Sequence, residues 1–298
     1  DAGTVLNNSD DQDDRLVAKL DANLSDTQRA SLTYTYTKDS IKIGQNTFTT
    51  NPPGLGLSSD GYVSSNRLHT GVFQLNSDWT DKFGTEFRGF YKDYKRGQDP
   101  ILGRGFAQFD VCAVPTSDRT NTGAPSSAAT SCSGSQIVFG PDISRQTNAL
   151  TSRTYGGSLL ARLTAGDHVI KAFADYQDTK IFNSFLQRSA GQYYFDSLAD
   201  FQAGNAQRLR YQNAIPSLVP EDAAASFTYQ AYTFGIQDNW RVFDTLNVSI
   251  GVRYDLFGGN SRAALNPNFL ARYGFTNNAY IDGRGVFAES EVERGGID

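Results

Sequence analysis

Methionine is missing from this 298-residue chain, and cysteine, histidine and tryptophan occur only twice each. Two cysteines exclude a zinc ribbon or a disulfide-dense scaffold. His69 and His168 stand far apart with no His or Cys at ligand spacing, so no metal site is expected. No run of about 18 apolar residues exists, and the mean hydropathy is −0.45, which excludes transmembrane helices. Lys and Arg number 27 against 32 Asp and Glu, and no basic run or stripe interrupts the net charge of −5. Nucleic acid is therefore not an expected partner. The nucleophile elbow, the phosphate loop and the dinucleotide fingerprint are also absent. Carboxylate pairs abound, as so many acidic residues guarantee by chance. No catalytic residue, cofactor or enzymatic activity is expected.

What is present is alternation with period two. Leu16, Ala18, Leu20, Ala22 and Leu24 share one face, with Arg15, Val17, Lys19, Asp21 and Asn23 on the other. Ala30, Leu32, Tyr34 and Tyr36 alternate with Ser31, Thr33, Thr35 and Thr37, and Leu246 to Asp255 behaves alike. The pattern predicts eight strands near 13–24, 29–38, 67–79, 84–96, 151–164, 168–180, 226–240 and 245–257. Short polar turns fall near Asp26, Asp81, Gly166 and Asp244. Long segments rich in Gly, Ser, Asn, Thr and Pro occupy 39–66, 97–150, 181–225 and 258–298. Short and long connections alternate without exception. Unstructured loops of that length are uncommon in soluble domains, whereas a transmembrane barrel carries short turns at one end and long loops at the other. The expected fold is all-β: an antiparallel transmembrane β-barrel segment of about eight up-and-down strands, with the long segments extracellular. Residues 1–298 read as one partial barrel in the outer membrane of a Gram-negative bacterium.

Trp79 and Trp240 each end a strand beside a short turn, where an amphipathic ring suits a membrane interface; burial in a core is the plainer alternative. Asp238 shares the outward parity of Phe234, Ile236 and Trp240, a position tolerable only near that interface. If short turns are periplasmic, the first strand starts outside and the eighth ends outside, so the eight strands read as a slice of a larger wall. Inward positions such as Ser31, Thr33, Thr35, Ser249 and Gly251 are too small to fill a closed eight-stranded lumen.

Cys112 and Cys132 lie in one long segment and, in an exported protein, read as a disulfide, with free thiols as the alternative. Tyr193, Tyr194, Phe195, Phe201 and Tyr211, with Arg208 and Arg210, make another segment both aromatic and basic. That composition suits stacking or cation–π contact with a ligand, or simply packing between loops. Arg88, Lys92, Arg162, Lys171 and Arg253, mixed with Asp175 and Asp255, are expected to line water or a plug.

The run Gly235-Ile-Gln-Asp-Asn-Trp-Arg-Val-Phe-Asp-Thr-Leu-Asn-Val-Ser-Ile-Gly-Val-Arg-Tyr-Asp255 resembles a hairpin of TonB-dependent outer-membrane receptors, through Gln237, Asp238, Trp240, Gly251, Arg253, Tyr254 and Asp255. Asp11 through Lys38, and Phe195 through Gly204, are similar to the Oar-like branch of that family. The resemblance implies an internal barrel fragment of a 22-stranded receptor that imports a scarce ligand. It implies as partners the membrane lipid, an imported ligand, and a plug domain and TonB energy-coupling protein engaged through parts of the chain not present here. No plug, energy-coupling box or terminal aromatic strand is visible in this sequence. A surface adhesin or porin-like interaction barrel is the alternative, and a secreted β-rich lectin or glycosidase a third reading.

Overall fold

The computed structural model describes residues 11–45, 53–113, 132, 134–214 and 217–259. Strands are numbered in chain order. Eight long ones, β1 (Gln12–Ser25), β2 (Gln28–Ile43), β4 (Tyr62–Thr80), β5 (Phe83–Pro100), β8 (Asn148–Ala165), β9 (His168–Phe185), β12 (Ala225–Phe243) and β13 (Leu246–Gly259), form one sheet. Every neighbouring pair is antiparallel, in the order β1-β2-β4-β5-β8-β9-β12-β13. Among the described residues β1 and β13 are each paired on one side only, so the sheet is an open arc. Most of the predicted 258–298 segment lies outside the described residues.

Four two-residue turns gather at one end of the sheet. Gly166 takes a left-handed φ of 62°, and the β8–β9 hairpin there stays in register down to Ala165 opposite His168. The other three turns, Asp26-Thr27, Asp81-Lys82 and Asp244-Thr245, contain no glycine. In each, the register slips by one residue in the incoming strand, at Leu24, Trp79 and Val242. A bulge there supplies the twist that a left-handed turn residue would otherwise give. Each of the first three turns is tied to the next hairpin by a backbone bond: Asp78 N to Thr27 O at 2.8 Å, Thr164 N to Lys82 O at 2.8 Å, Arg241 N to Asp167 O at 2.9 Å.

The two faces differ as the alternation requires. Leu20, Ile250 and Val252 lie on one face and are 72%, 66% and 69% exposed in the isolated chain. An apolar band of this extent is an aggregation surface in water and an anchor in lipid. The opposite face is polar, and cavities of about 610 Å³, 330 Å³ and 280 Å³ are lined chiefly from it, which makes it the concave one. Arg88, Lys92, Asp175 and Thr233 line the largest, Arg162 and Lys171 the second. Arg253 and Asp255 pair at 2.8 Å on the same face, and Thr233 donates to Asp255 at 2.7 Å. Gly235 also faces inward because the Phe173 ring lies over it, where a Cβ would overlap the ring.

On the convex face Tyr34, Tyr91 and Tyr155 fall on one line of cross-strand partners, which continues to Asp178, Gln230 and Gly258. The tyrosines leave that line: Tyr176 and Tyr232 sit two residues nearer the short turns, and Tyr254 four residues nearer. Ring centroids of Tyr155 and Tyr176 lie 6.2 Å apart, and those of Tyr176 and Tyr232 5.0 Å. At about 3.4 Å per residue and about 4.8 Å per strand, this descent corresponds to strands tilted roughly 25° from the normal of a flat interface. Inclined strands with aromatic girdles are the mark of a transmembrane barrel.

The strands run past the expected limits at the long-segment end: β2 to Ile43 rather than 38, β4 from Tyr62 rather than 67, β5 to Pro100 rather than 96, β9 to Phe185 rather than 180. Beyond the tyrosines apolar residues fall on either face, Ile41 and Ile181 on the concave one and Val63 and Phe182 on the convex one, so the pairing continues where the alternation no longer reports it. The long segments also carry a second sheet where loops were expected. It is built from β3 (Gly54–Gly56), β6 (Gln108–Cys112), β7 (Gln136–Phe139), β10 (Gln192–Phe195) and β11 (Arg208–Arg210), in the order β11-β10-β6-β7-β3.

Candidate functional site

The second sheet forms a cap on the long-segment end, and a polar belt fastens it to the wall. Arg145 donates to the Tyr62 hydroxyl at 3.0 Å with its guanidinium 4.2 Å from the ring centre. Gln146 donates to Gly191 O at 2.9 Å and accepts from Ala190 N at 2.8 Å. Asn148 donates to Gln98 at 2.8 Å. These groups are buried or half-buried, so each bond avoids the cost of an unmatched polar atom.

Alternation within the cap separates two kinds of surface. On one face Phe109 is central, with Phe139 at 5.3 Å, Tyr193 at 5.6 Å, and Phe195 and Phe201 both at 6.2 Å between ring centres. Phe201 is delivered by α1 (Leu198–Ala203), a short helix whose ends are written in its sequence. Ser197 Oγ accepts from Asp200 N at 3.0 Å, and Gly204 closes the helix in the left-handed region. Phe201 then meets Phe195 and Phe139 edge-on at 5.2 Å and 5.4 Å. Leu102, Phe106, Phe109, Phe139 and Phe201 line an apolar cleft of about 530 Å³.

The other face is polar. Asp110 accepts from Gln108 at 2.8 Å and Gln192 at 2.6 Å. Burial pushes its carboxyl above the ordinary carboxylate range, against the opposing pull of these bonds and of Arg208 and Arg210. Burial, with Arg210 alongside, makes the Arg208 guanidinium easier to deprotonate than usual. Arg208 sits 5.7 Å from the centre of the buried Tyr194 ring.

The seven residues expected to form one ligand-facing patch are therefore divided. Tyr193, Phe195 and Phe201 belong to the aromatic face; Tyr194, Arg208 and Arg210 belong to the polar face, because Gln192 pairs with Arg210 and Tyr194 with Arg208. Tyr211 lies beyond β11, half exposed, its hydroxyl accepting from Asn213 at 2.8 Å. Phe106, Phe109, Phe139 and Asp110 were not foreseen. The alternation of Gln108-Phe109-Asp110-Val111-Cys112 is the signal for them, too short to stand out within a long segment. Cys112 and Cys132 form a disulfide with Cα atoms 5.6 Å apart, joining the end of β6 to the approach to β7.

At the short-turn end both tryptophans are on the convex face. Trp79 Nε1 donates to Thr85 at 2.9 Å. Trp240 stacks on His168 with centroids 5.4 Å apart and planes within 13°. His168 bonds Asp238 at 2.6 Å, which supplies the outward carboxylate with a partner. Among the described residues no group of three or more His, Cys, Asp or Glu could hold a metal ion.

An apolar convex face, a polar concave face, aromatic residues at both rims and an up-and-down order define the wall of a transmembrane β-barrel. The chain belongs to the outer membrane β-barrel domain family, whose model matches residues 3–297, and its place is the outer membrane. Among solved structures it is similar to the outer membrane transporter YddB from Escherichia coli, with a TM-score of 0.52 and 13% identity. The match covers 85% of this chain and 28% of that one, so the chain spans little more than a quarter of the transporter's length. At this identity the likeness speaks of fold. No curated protein sequence matches the chain.

Proposed function

We propose that the chain is part of the barrel wall and ligand-facing cap of a TonB-dependent receptor of the Oar-like branch, taking up a scarce ligand without catalysis of its own. The carrying observation is the pairing of a wide, polar, charged concave face with a structured cap bearing an open aromatic cleft. A wall lined by Arg88, Lys92, Asp175 and Arg253 suits a lumen holding a plug or water, and the cleft suits capture before passage. The Gln237-to-Asp255 hairpin and the role of the structural neighbour, an outer membrane transporter, point the same way.

The test uses cells producing the natural full-length protein. Photo-crosslinking to the energy-coupling protein, lost when the proton gradient is collapsed, is the expected result. A reading frame without plug or coupling segment, together with solute flux that survives an uncoupler, would overturn the proposal in favour of a porin-like barrel.

A further inference from the structure

Three arginines meet at the seam between the cap and the wall. Arg208 and Arg210 lie on the polar face of β11, and Arg188 comes from the turn that joins β9 to β10. Two bonds bring that turn to the cap edge. Arg188 Nε donates to Gln192 Oε1 at 2.8 Å, and Gln192 is the cross-strand partner of Arg210. Gln212 N, two residues past Arg210, donates to Arg188 O at 3.2 Å. Arg188 and Arg210 both act against the charge on Arg208. Arg188 also holds a left-handed φ of 59°, unusual for a residue with a Cβ. Strain of this kind persists where the surroundings enforce it, and it marks positions whose side chain has to be aimed.

The carboxylates of the cap do not answer these three charges. Asp110, on the same face, is buried and already accepts from Gln108 and Gln192. Asp196, two residues past Tyr194, is buried with Oδ2 unpartnered. Asp142, in the segment beneath, pairs with Arg145 at 3.6 Å. Asp200 on α1 accepts from Ser197 Oγ at 2.6 Å. Asp60 lies beside Gly56 at the opposite edge of the sheet. Glu221 and Asp222, which follow β11 in the chain, are exposed. Among the described residues none of these forms an ion pair with Arg188, Arg208 or Arg210. Arg188 spends Nε on Gln192 and Nη1 on Gln187 at 3.2 Å, which leaves Nη2. Arg208 has the Tyr194 ring at 5.7 Å, and Arg210 is exposed. The seam therefore holds three gathered guanidiniums with their charge unmatched within the described chain.

We propose that Arg188, Arg208 and Arg210 form an anion clasp: a carboxylate or phosphate of the captured solute bridges them and ties the cap edge to the wall. The clasp rests on the reading of the cap as ligand-facing. Planar guanidiniums take two oxygens of either group at once, which suits a shared oxyanion better than ammonium groups would. Arg188 supplies the wall side and the two β11 arginines the cap side, so an anion held by all three closes the seam. The aromatic cleft lies on the other face of the same sheet and has no charged lining. It is thus a separate surface, and the clasp assigns the acidic part of the solute to the seam.

The experiment takes the full-length protein extracted in detergent and titrates citrate and inorganic tripolyphosphate at constant ionic strength, by calorimetry and by hydrogen exchange. Wild type should bind at least one of them, and the one held more tightly names the anion the solute carries. Binding should slow exchange of the Gln212 amide, which donates to Arg188 O. Arg208→Gln/Arg210→Gln should weaken binding roughly a hundredfold. Arg210→Gln alone, at an exposed position, should weaken it roughly tenfold and serves if the double variant does not fold. Arg88→Gln/Lys92→Gln, on the concave face of the wall, should bind as wild type. No binding of either anion, or binding that survives the β11 variants and is lost in the Arg88 and Lys92 variant, would overturn the clasp. Binding with unchanged exchange at Gln212 would overturn it as well. These readouts need neither a plug nor energy coupling, so their failure is distinct from a failure of the transport reading.

Discussion

His168 and Asp238 meet at 2.6 Å on the lipid-facing side of the wall, across the β9–β12 ladder and 70 residues apart in sequence. Trp240 covers the imidazole, and Asp238 Oδ1 is buried with no hydrogen-bond partner. His168→Phe should thus cost about 1–3 kcal/mol, since it leaves a half-buried carboxylate unmatched. Adding Asp238→Leu should recover most of that loss, because the pair then becomes two apolar groups in lipid. Urea unfolding in lipid vesicles measures both. A double variant weaker than the single would refute the assignment of this face to lipid.

Trp79 and Trp240 are the chain's only tryptophans, so intrinsic fluorescence reports the short-turn rim alone. In vesicles, lipid brominated near the headgroup should quench them more than lipid brominated at the chain end. Removing either ring as Trp→Phe should leave the remaining signal equally shallow. Stronger quenching from the bilayer centre would move the rim away from the turns.

Gly235 gives way to the Phe173 ring. Gly235→Val should destabilise the wall by about 1–3 kcal/mol through overpacking, while Gly235→Val/Phe173→Ala should regain much of it. Additive losses in the two changes would show that they do not share a space.

The raised carboxyl of Asp110 makes the cap pH-dependent. An acid that ionises less readily folded than unfolded leaves stability intact below the ordinary value of about 4. That stability declines as pH rises through the higher folded value. Hydrogen exchange of the β6 and β10 amides, corrected for intrinsic rates, should show protection falling across this window. Asp110→Asn should flatten the profile. Protection that rises with pH would contradict the burial of this group.

The Cys112–Cys132 bridge closes a loop spanning 20 residues. Chain-entropy reasoning puts its contribution at about 3 kcal/mol. Both thiols should resist alkylation in unreduced protein, and reduction should loosen β6 and β7 while leaving the eight-stranded sheet intact. Quantitative labelling without reductant would refute the pairing.

The wall was legible because lipid on one side and polar surroundings on the other impose a strict period of two on Leu16 to Leu24, Ala30 to Thr37 and Leu246 to Asp255. The ends of β2, β4, β5 and β9 were not, since beyond the girdle apolar residues such as Val63, Ile181 and Phe182 no longer keep to one face. The cap stayed hidden for a related reason. β6, β7, β10 and β11 are three to five residues long, and two of their pairings, β10 with β6 and β3 with β7, are parallel and join distant segments. Composition pointed to the aromatic and basic residues near Tyr193, but only pairing register reveals that Tyr194 and Arg208 face away from Phe195 and Phe201.

The descent of the tyrosines has a geometric consequence. From Tyr34 to Tyr254 the belt slips four residues over six strand spacings, about two-thirds of a residue for each strand added. In a closed barrel, total slip and strand number together set the radius. Any strand joined to the free edge of β1 or β13 inherits this increment. A change of increment partway round would carry the girdle off the membrane surface. The arc thus holds the pitch to which the rest of its circumference must conform.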